Sequence, residues 1–198
     1  VIELFCDSDG TFPNHLPDPE LEENVAELKA SVTHNRADLG FAFDGDGDRL
    51  GLVDERGIRY ESDYILILLA RDVLQRHPGA KIMLDVKSSQ NVIDDILSHG
   101  GEPYIYKSGH SLIKMKMREE GILLAGELSG HMFFAEDYYG LDDALFAACR
   151  LADIISRNEK PLSAHFVNLP RLYATPELRL PCPDSEKFCI INDVADFF

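Results

Sequence analysis

Basic residues are scarce in this chain: 19 lysines and arginines stand against 35 aspartates and glutamates, a formal charge of -16. Such a surface repels nucleic acid and anionic membranes, so neither is expected as a partner, and an anionic ligand needs basic side chains gathered locally. Long apolar runs are missing too. None approaches the roughly 20 residues of a membrane span, and no signal peptide opens the chain. Cysteine is sparse. Cys6, Cys149, Cys182 and Cys189 lie far apart and form no C-x-x-C pair, which argues against a disulfide framework and a zinc site and makes a reducing, cytoplasmic setting the default. No internal repeat or low-complexity segment stands out. What is present is the composition of an ordinary soluble globular protein, 45% apolar and 27% charged, with 198 residues, enough for one or two domains with real cores.

Hydrophobic spacing gives the elements. Leu21, Val25, Leu28 and Val32 recur with a helical period in "ELEENVAELKASV", and Asp38 leads into the strand "LGFAF". "LGLVD" and "IRY" follow around the turn "ERG", so residues 39 to 60 read as antiparallel β. Ser62 is placed as the cap of the long apolar helix "DYILILLARDVLQRH", which stops before Pro78-Gly79. "KIMLDV" reads as a buried strand, "SSQNVIDDILSHGG" as a helix with serine caps, and "PYIYK" as a strand. The helix "HSLIKMKMREEG", the segment "ILLAG", the strand "HMFFA" and the helix "LDDALFAACRLADIIS" complete the series. Alternating strands and helices predict an α/β fold, a mixed sheet flanked by helices over residues 59–168 with right-handed crossovers. Pro161 and Pro170 bracket an expected linker, and "LYATPELRLP" reads as a new strand. The opening "VIELF" is strand-like without an initiator methionine, and the closing "INDVADFF" looks like mid-helix, so the chain reads as a piece of a longer protein.

The stretch "DGDGDR" sets Asp44, Asp46 and Asp48 at alternate positions between two apolar runs. Alternate side chains of an extended chain point the same way, and three crowded carboxylates repel unless a cation lies among them. An EF-hand would take Asp44, Asp46, Asp48 and, at its twelfth position, Glu55, but Arg49 stands where that loop needs glycine and the flanks are β-rich. A plain acidic turn is the other alternative, although Gly45 and Gly47 between the carboxylates suit a backbone wrapped around a small ion. Oxygen ligands with open coordination positions suit Mg²⁺ shared with a phosphate, which points to phosphoryl transfer, with Arg49 free to hold a phosphate oxygen.

"DGDGDR" resembles the metal-binding loop of the α-D-phosphohexomutases, the phosphoglucomutase and phosphomannomutase superfamily, and three further stretches match in order. In "GELSGH", Glu127, Ser129 and His131 alternate, and a carboxylate, a hydroxyl and an imidazole on one side of a loop can bind sugar hydroxyls. The resemblance makes this the sugar-recognition loop. In "YKSGHSLIKMKMR", Lys107, His110, Lys114, Lys116 and Arg118 form a basic cluster in an acidic chain, and Ser108 and Ser111 open a helix whose N–H groups attract anions. The spacing places Lys114, Lys116 and Arg118 on a solvated face. His110 sits at the turn, and the family's K-x-G-H implies a substrate contact and proton transfer for it. Lys87 follows the buried strand "IMLDV" at the end where open α/β sheets bind ligands. "FPNHLPDP", residues 12–19, also matches; its prolines fix an extended connection and His15 has no evident chemistry.

What the family works through, a phosphoserine in a T-A-S-H-N-P-like loop, has only a decoy here: "SVTHNRA" has threonine at that place and no proline. The resemblance implies that residues 1–58 are the C-terminal part of the family's domain 2 with its metal loop, 59–168 its domain 3 and 169–198 the start of domain 4. It implies interconversion of hexose 1-phosphate and 6-phosphate, mannose or glucose, through a bisphosphorylated intermediate. It makes Asp44, Asp46 and Asp48 the Mg²⁺ ligands, Arg49, His110 and His131 catalytic, and Lys87, Ser108, His110, Glu127, Ser129 and His131 substrate-binding. The chain alone is expected to lack turnover, and its partners would be hexose phosphates and the missing domains. A phosphoglucosamine mutase and a non-catalytic binding fragment are the alternatives.

Overall fold

The computed structural model describes residues 1–173 and 181–197. Two sheets organise it. β1 (Leu39–Phe43), β2 (Leu50–Asp54) and β3 (Arg59–Tyr60) form an antiparallel sheet in sequence order, preceded by a 3-10 turn at Glu22–Val25 and by α1 (Ala26–Asn35). The second sheet has the order β5-β4-β6-β7-β8, from β4 (Lys81–Asp85), β5 (Glu102–Tyr106), β6 (Leu124–Gly126), β7 (Met132–Phe134) and β8 (Leu141–Asp142). β4 is parallel to β5 and β6, while β6, β7 and β8 are antiparallel, so the sheet is mixed.

Helices cover both faces, as the alternation of side chains requires. Ile82 and Leu84 of β4, with Met132 and Phe134 of β7, join the core under α2 (Ser62–Arg76), α3 (Gln90–Ser98) and α5 (Ala144–Ser156). Met83 and Phe133, one residue out of step, join Ile113 and Met117 of α4 (His110–Glu120) on the other face. α2 is apolar nearly all round, burying Ile65 to Ala70 without a break, because it lies between two sheets and touches both β2 and β6.

Several sequence expectations change. Ser62 is the first helical residue; Glu61 stands at the cap and gives no side-chain bond, and Ser89 ahead of α3 gives none either. Leu141–Asp142 is a strand, so the last sheet-covering helix begins at Ala144, capped by Asp143, whose Oδ1 accepts from Phe146 N at 2.9 Å. The segment between Pro161 and Pro170 is no free linker: Leu162 and Phe166 are buried in the main core, and Arg71 and Asn91 donate to the carbonyls of His165 and Pro170. Residues 187–197 form α6. Residues 174–180 of the expected strand over 172–181 lie outside the described residues. All four cysteines are free and exposed.

The β2–β3 turn hangs on Asp54, which has no exposed surface. Its Oδ1 accepts from the N–H groups of Arg56 (3.0 Å) and Ile58 (2.9 Å), its Oδ2 from Arg56 Nη2 (2.8 Å) and the Tyr60 hydroxyl (3.1 Å). Burial alone would raise the Asp54 carboxyl; the bonds from Ile58, Arg56 and Tyr60 outweigh it and hold it below the usual range, while burial and Asp54 push Tyr60 up to about 12. A carboxyl held low in the folded chain stabilises it above the ordinary aspartate value of about 3.9, and that contribution is lost as pH falls through the folded value. Asp54→Ala is expected to cost about 2 kcal/mol in urea unfolding at neutral pH, because it removes the buried acceptor that closes the β2–β3 turn, and to cost less as pH falls through the folded value of Asp54.

Candidate functional site

Because Phe43 pairs with Leu50, residues 44–49 are the loop of the β1–β2 hairpin. Asp44 organises it. Its Oδ1 accepts from the N–H groups of Gly47, Asp48 and Arg49, each at 3.1 Å, and its Oδ2 from Arg49 Nε at 2.6 Å. Burial would raise the Asp44 carboxyl, but the bonds from Arg49 and from the loop amides hold it below the usual range. Gly47 has φ +77°, a conformation in which a side chain would be strained. Ligand oxygens of Asp44, Asp46 and Asp48 lie within 4.8 Å of one another, a compact hard-oxygen set that fits a small divalent cation. Burial raises the Asp48 carboxyl; His131 opposes this, while Asp44, Asp46 and Asp142 add to it.

The "FPNHLPDP" stretch proves to back this loop. Phe12 and Pro17 pack where a side chain on Gly45 would go, with ring carbons 3.3 and 3.2 Å from such a Cβ, and Pro19 does the same at Gly51. Asp18 faces Arg49 at 3.6 Å. His15 bonds its neighbour's carbonyl, Leu16 O, and its ring meets that of Phe5 edge-on.

The second loop joins β6 to β7. Glu127 N donates to His131 O and Gly130 N to Glu127 O, closing a tight turn with Gly130 at φ +104°. This turn docks on the first loop through the backbone: Arg49 and His131 form an antiparallel bridge and Leu50 N donates to Gly130 O at 3.1 Å. Ala144 N, opening α5, donates to Gly47 O. His131 then reaches across, its Nε2 3.2 Å from Asp48 Oδ1 and its Nδ1 2.9 Å from Ser129 Oγ and 3.4 Å from Glu127 Oε2. Glu127 is buried, and its Oε1 accepts from Gly109 N at 2.7 Å, which ties the K-S-G-H turn to the same place.

The remaining candidates hang on another buried carboxylate. Asp85, at the end of β4, accepts through Oδ1 from Lys87 N (3.2 Å) and Ser88 Oγ (3.0 Å), and through Oδ2 from Ser108 Oγ (3.0 Å). Parallel β4 and β5 both end here, so the Lys87 and Ser108 loops lie side by side. The Ser108 hydroxyl is thus tied to Asp85, whereas Lys87 is exposed and its charge acts on Glu20. Asp63 Oδ2 accepts from Ser89 N at 2.7 Å, and burial raises this carboxyl. Asp44, Asp46, Asp48, Arg49, Glu127, Ser129 and His131 thus come together; His110, expected at the turn, is the exposed first residue of α4, after the cap position at Gly109.

Two participants escaped the sequence reading. Lys114 is not on a solvated face but turns in to Asp142, unlike Lys116, which pairs with Glu119 and Glu120. Asp142 itself looks like the start of a helix in "LDDALF". The signal was there: of two aspartates before an apolar run only one can cap, and Asp143 does, which leaves Asp142 to face elsewhere.

The family description "Phosphoglucomutase/phosphomannomutase, alpha/beta/alpha domain III" matches residues 61–173, more than half of the chain, and the description for domain II of the same family matches residues 1–57. The chain belongs to the phosphoglucomutase/phosphomannomutase family. It is similar to the phosphomannomutase/phosphoglucomutase of Pseudomonas aeruginosa PAO1, 48% identical over 192 residues, which cover 97% of this chain and 42% of that protein. A phosphoglucomutase of Neisseria meningitidis serogroup A is 47% identical over 196 residues, 98% of this chain and 42% of its own length. Among solved structures, a phosphoglucomutase/phosphomannomutase family protein of Burkholderia thailandensis superposes with a TM-score of 0.84 at 48% identity, over 88% of this chain and 38% of that one. The chain thus spans about two fifths of the length of these relatives. Within this phosphoglucomutase/phosphomannomutase chain, the acidic loop lies in the domain II match and the Glu127–His131 loop in the domain III match, so the cluster spans their junction. Among the described residues no helix is long and apolar enough to cross a membrane.

Proposed function

We propose that this chain is the metal-loop and sugar-loop half of a cytoplasmic phosphomannomutase/phosphoglucomutase, which interconverts hexose 1-phosphate and 6-phosphate through a phosphoserine and a bisphosphorylated intermediate. The observation that carries this reading is the backbone docking of the two loops through the Arg49–His131 bridge, which puts three carboxylates, a guanidinium and the Glu127–Ser129–His131 set in one place. Asp44, Asp46 and Asp48 hold Mg²⁺, which when bound offsets negative charge on the transferring phosphoryl group. Arg49, fixed by Asp44, orients a phosphate oxygen. Glu127 Oε2 and the Ser129 hydroxyl bind sugar hydroxyls, and Lys87, with Ser108 setting its neighbouring loop, faces the substrate phosphate. His110 and His131 move protons or contact substrate.

The calcium alternative loses its twelfth ligand. Glu55 lies past the far end of β2 from the acidic loop, and its two oxygens accept from Ser163 Oγ (2.5 Å) and Ser163 N (3.2 Å). Glu55 therefore clips the 161–170 segment to the hairpin.

Isothermal titration of the chain with Mg²⁺, Ca²⁺ and mannose 1-phosphate tests the reading. Weak Mg²⁺ binding, separate sugar-phosphate binding and indifference of the metal to Glu55→Gln are expected. Tight Ca²⁺ binding with no response to the sugar phosphate overturns it. The pure chain is expected to show no mutase turnover, since it carries no phosphoserine loop, and measurable turnover would sink that part.

A further inference from the structure

Between the two loop histidines stand a lysine and a carboxylate that no part of the proposed chemistry uses. Lys114 lies one turn beyond His110 on α4, and its ammonium is 2.5 Å from Asp142 Oδ1, 3.3 Å from His110 Nδ1 and 5.9 Å above the centre of the Phe133 ring. The Asp142 side chain is 5% exposed and the Lys114 side chain 24%. Asp142 is fixed on β8 opposite Phe133, and its Oδ2 is buried with no hydrogen-bond partner among the described residues. Ligand-type atoms of Asp142, Asp48 and His131 all lie within 4.8 Å of one another, so the carboxylate that anchors Lys114 also borders the metal loop and the sugar loop.

An ammonium has three donors and no acceptor. In its contact with His110, the Nδ1 atom must therefore be the acceptor, and a neutral imidazole that accepts at one nitrogen carries its proton on the other. We propose that Lys114 and Asp142 form a positioning pair that holds His110 in the Nε2–H tautomer, so that Nε2 is the nitrogen that donates to substrate. Asp142 fixes Lys114, and Lys114 fixes the ring. The pair acts through His110 and transfers no proton itself. The inference rests on the reading of His110 as a substrate-facing group, and it adds which nitrogen faces the substrate and what keeps it so.

Histidine-labelled ¹⁵N chain, examined by long-range ¹H–¹⁵N correlation at about pH 8.5, well above the ordinary imidazole value of about 6.5, reads the tautomer directly. In the wild type, His110 should show a near-pure Nε2–H pattern with Nδ1 displaced by the donated hydrogen bond, distinct from exposed His34. Lys114→Met should return His110 to the His34 pattern, Lys114→Arg should retain the wild-type pattern, and Asp142→Asn should move it towards Lys114→Met. A wild-type His110 pattern equal to that of His34 overturns the proposal without any variant, and so does a His110 spectrum unmoved by Lys114→Met. A response to Lys114→Met without one to Asp142→Asn removes Asp142 from the pair. None of these readouts needs metal or sugar phosphate, so failure here leaves the titration of the proposed function standing, and failure of that titration leaves the tautomer standing.

Discussion

Asp46→Asn is expected to weaken Mg²⁺ binding roughly 100-fold while leaving the unfolding midpoint unchanged. The three loop aspartates do unlike work. Asp44 is acceptor for three backbone amides and for Arg49, so changing it dismantles the loop, and lost metal binding would then say nothing about ligation. Asp48 contacts His131. Asp46 is exposed and takes no part in the loop's hydrogen bonds, yet its oxygen lies within reach of the other two. It is therefore the clean test. Calorimetric titration together with urea unfolding separates the outcomes: unchanged Mg²⁺ affinity would remove Asp46 from the ligand set, and a lowered midpoint would show that the loop needs this carboxylate for its shape.

Gly130→Ala is expected to destabilise the chain by about 2–4 kcal/mol and to abolish sugar-phosphate binding together with it. At φ +104° the backbone suits only glycine, and an added Cβ would lie 3.2 Å from Leu50 N and 3.3 Å from Leu50 O. Those are backbone atoms of the strand that Gly130 O holds, so they cannot swing aside as a side-chain tip would. Relief means pulling the β6–β7 turn off the β1–β2 loop, which breaks the Leu50–Gly130 bond and the Arg49–His131 bridge. Gly47→Ala is the useful contrast. Its φ is also positive, but nothing lies within 4 Å of its Cβ, so it should cost only the backbone strain, about 1 kcal/mol. Equal losses at the two positions would mean that the docking of the loops contributes nothing.

What could be read from the sequence was what local period and local chemistry determine. Short unbroken apolar runs in "KIMLDV" and "HMFFA" located strands, which the structure buries on both faces, and an acidic run between apolar runs located the hairpin loop. Contacts between segments far apart in sequence were not readable. The carboxylate of Asp85 looks like the end of a strand, and only the parallel pairing of β4 with β5 brings Ser108 to it. Glu55 looks like a twelfth loop ligand until Ser163, 108 residues away, is seen to hold it. Lys114 shows the limit of helical spacing. Its long apolar stem lets the ammonium travel from an apparently solvated face to a buried carboxylate, and a wheel drawn from sequence does not record that reach. The proline-rich stretch was read as a connection because no local signal tells that Phe12 and Pro17 press on Gly45.

The placement of α2 has a mechanical consequence. Leu50 and Leu52 of the hairpin share one continuous core with Ile65, Leu66 and Leu124, so the segments on either side of the family's domain junction have no slip plane between them. The acidic loop and the Glu127–His131 loop therefore rest on one anvil and are expected to melt in a single transition. A hinge cannot be engineered at residues 58–61 without opening the core itself.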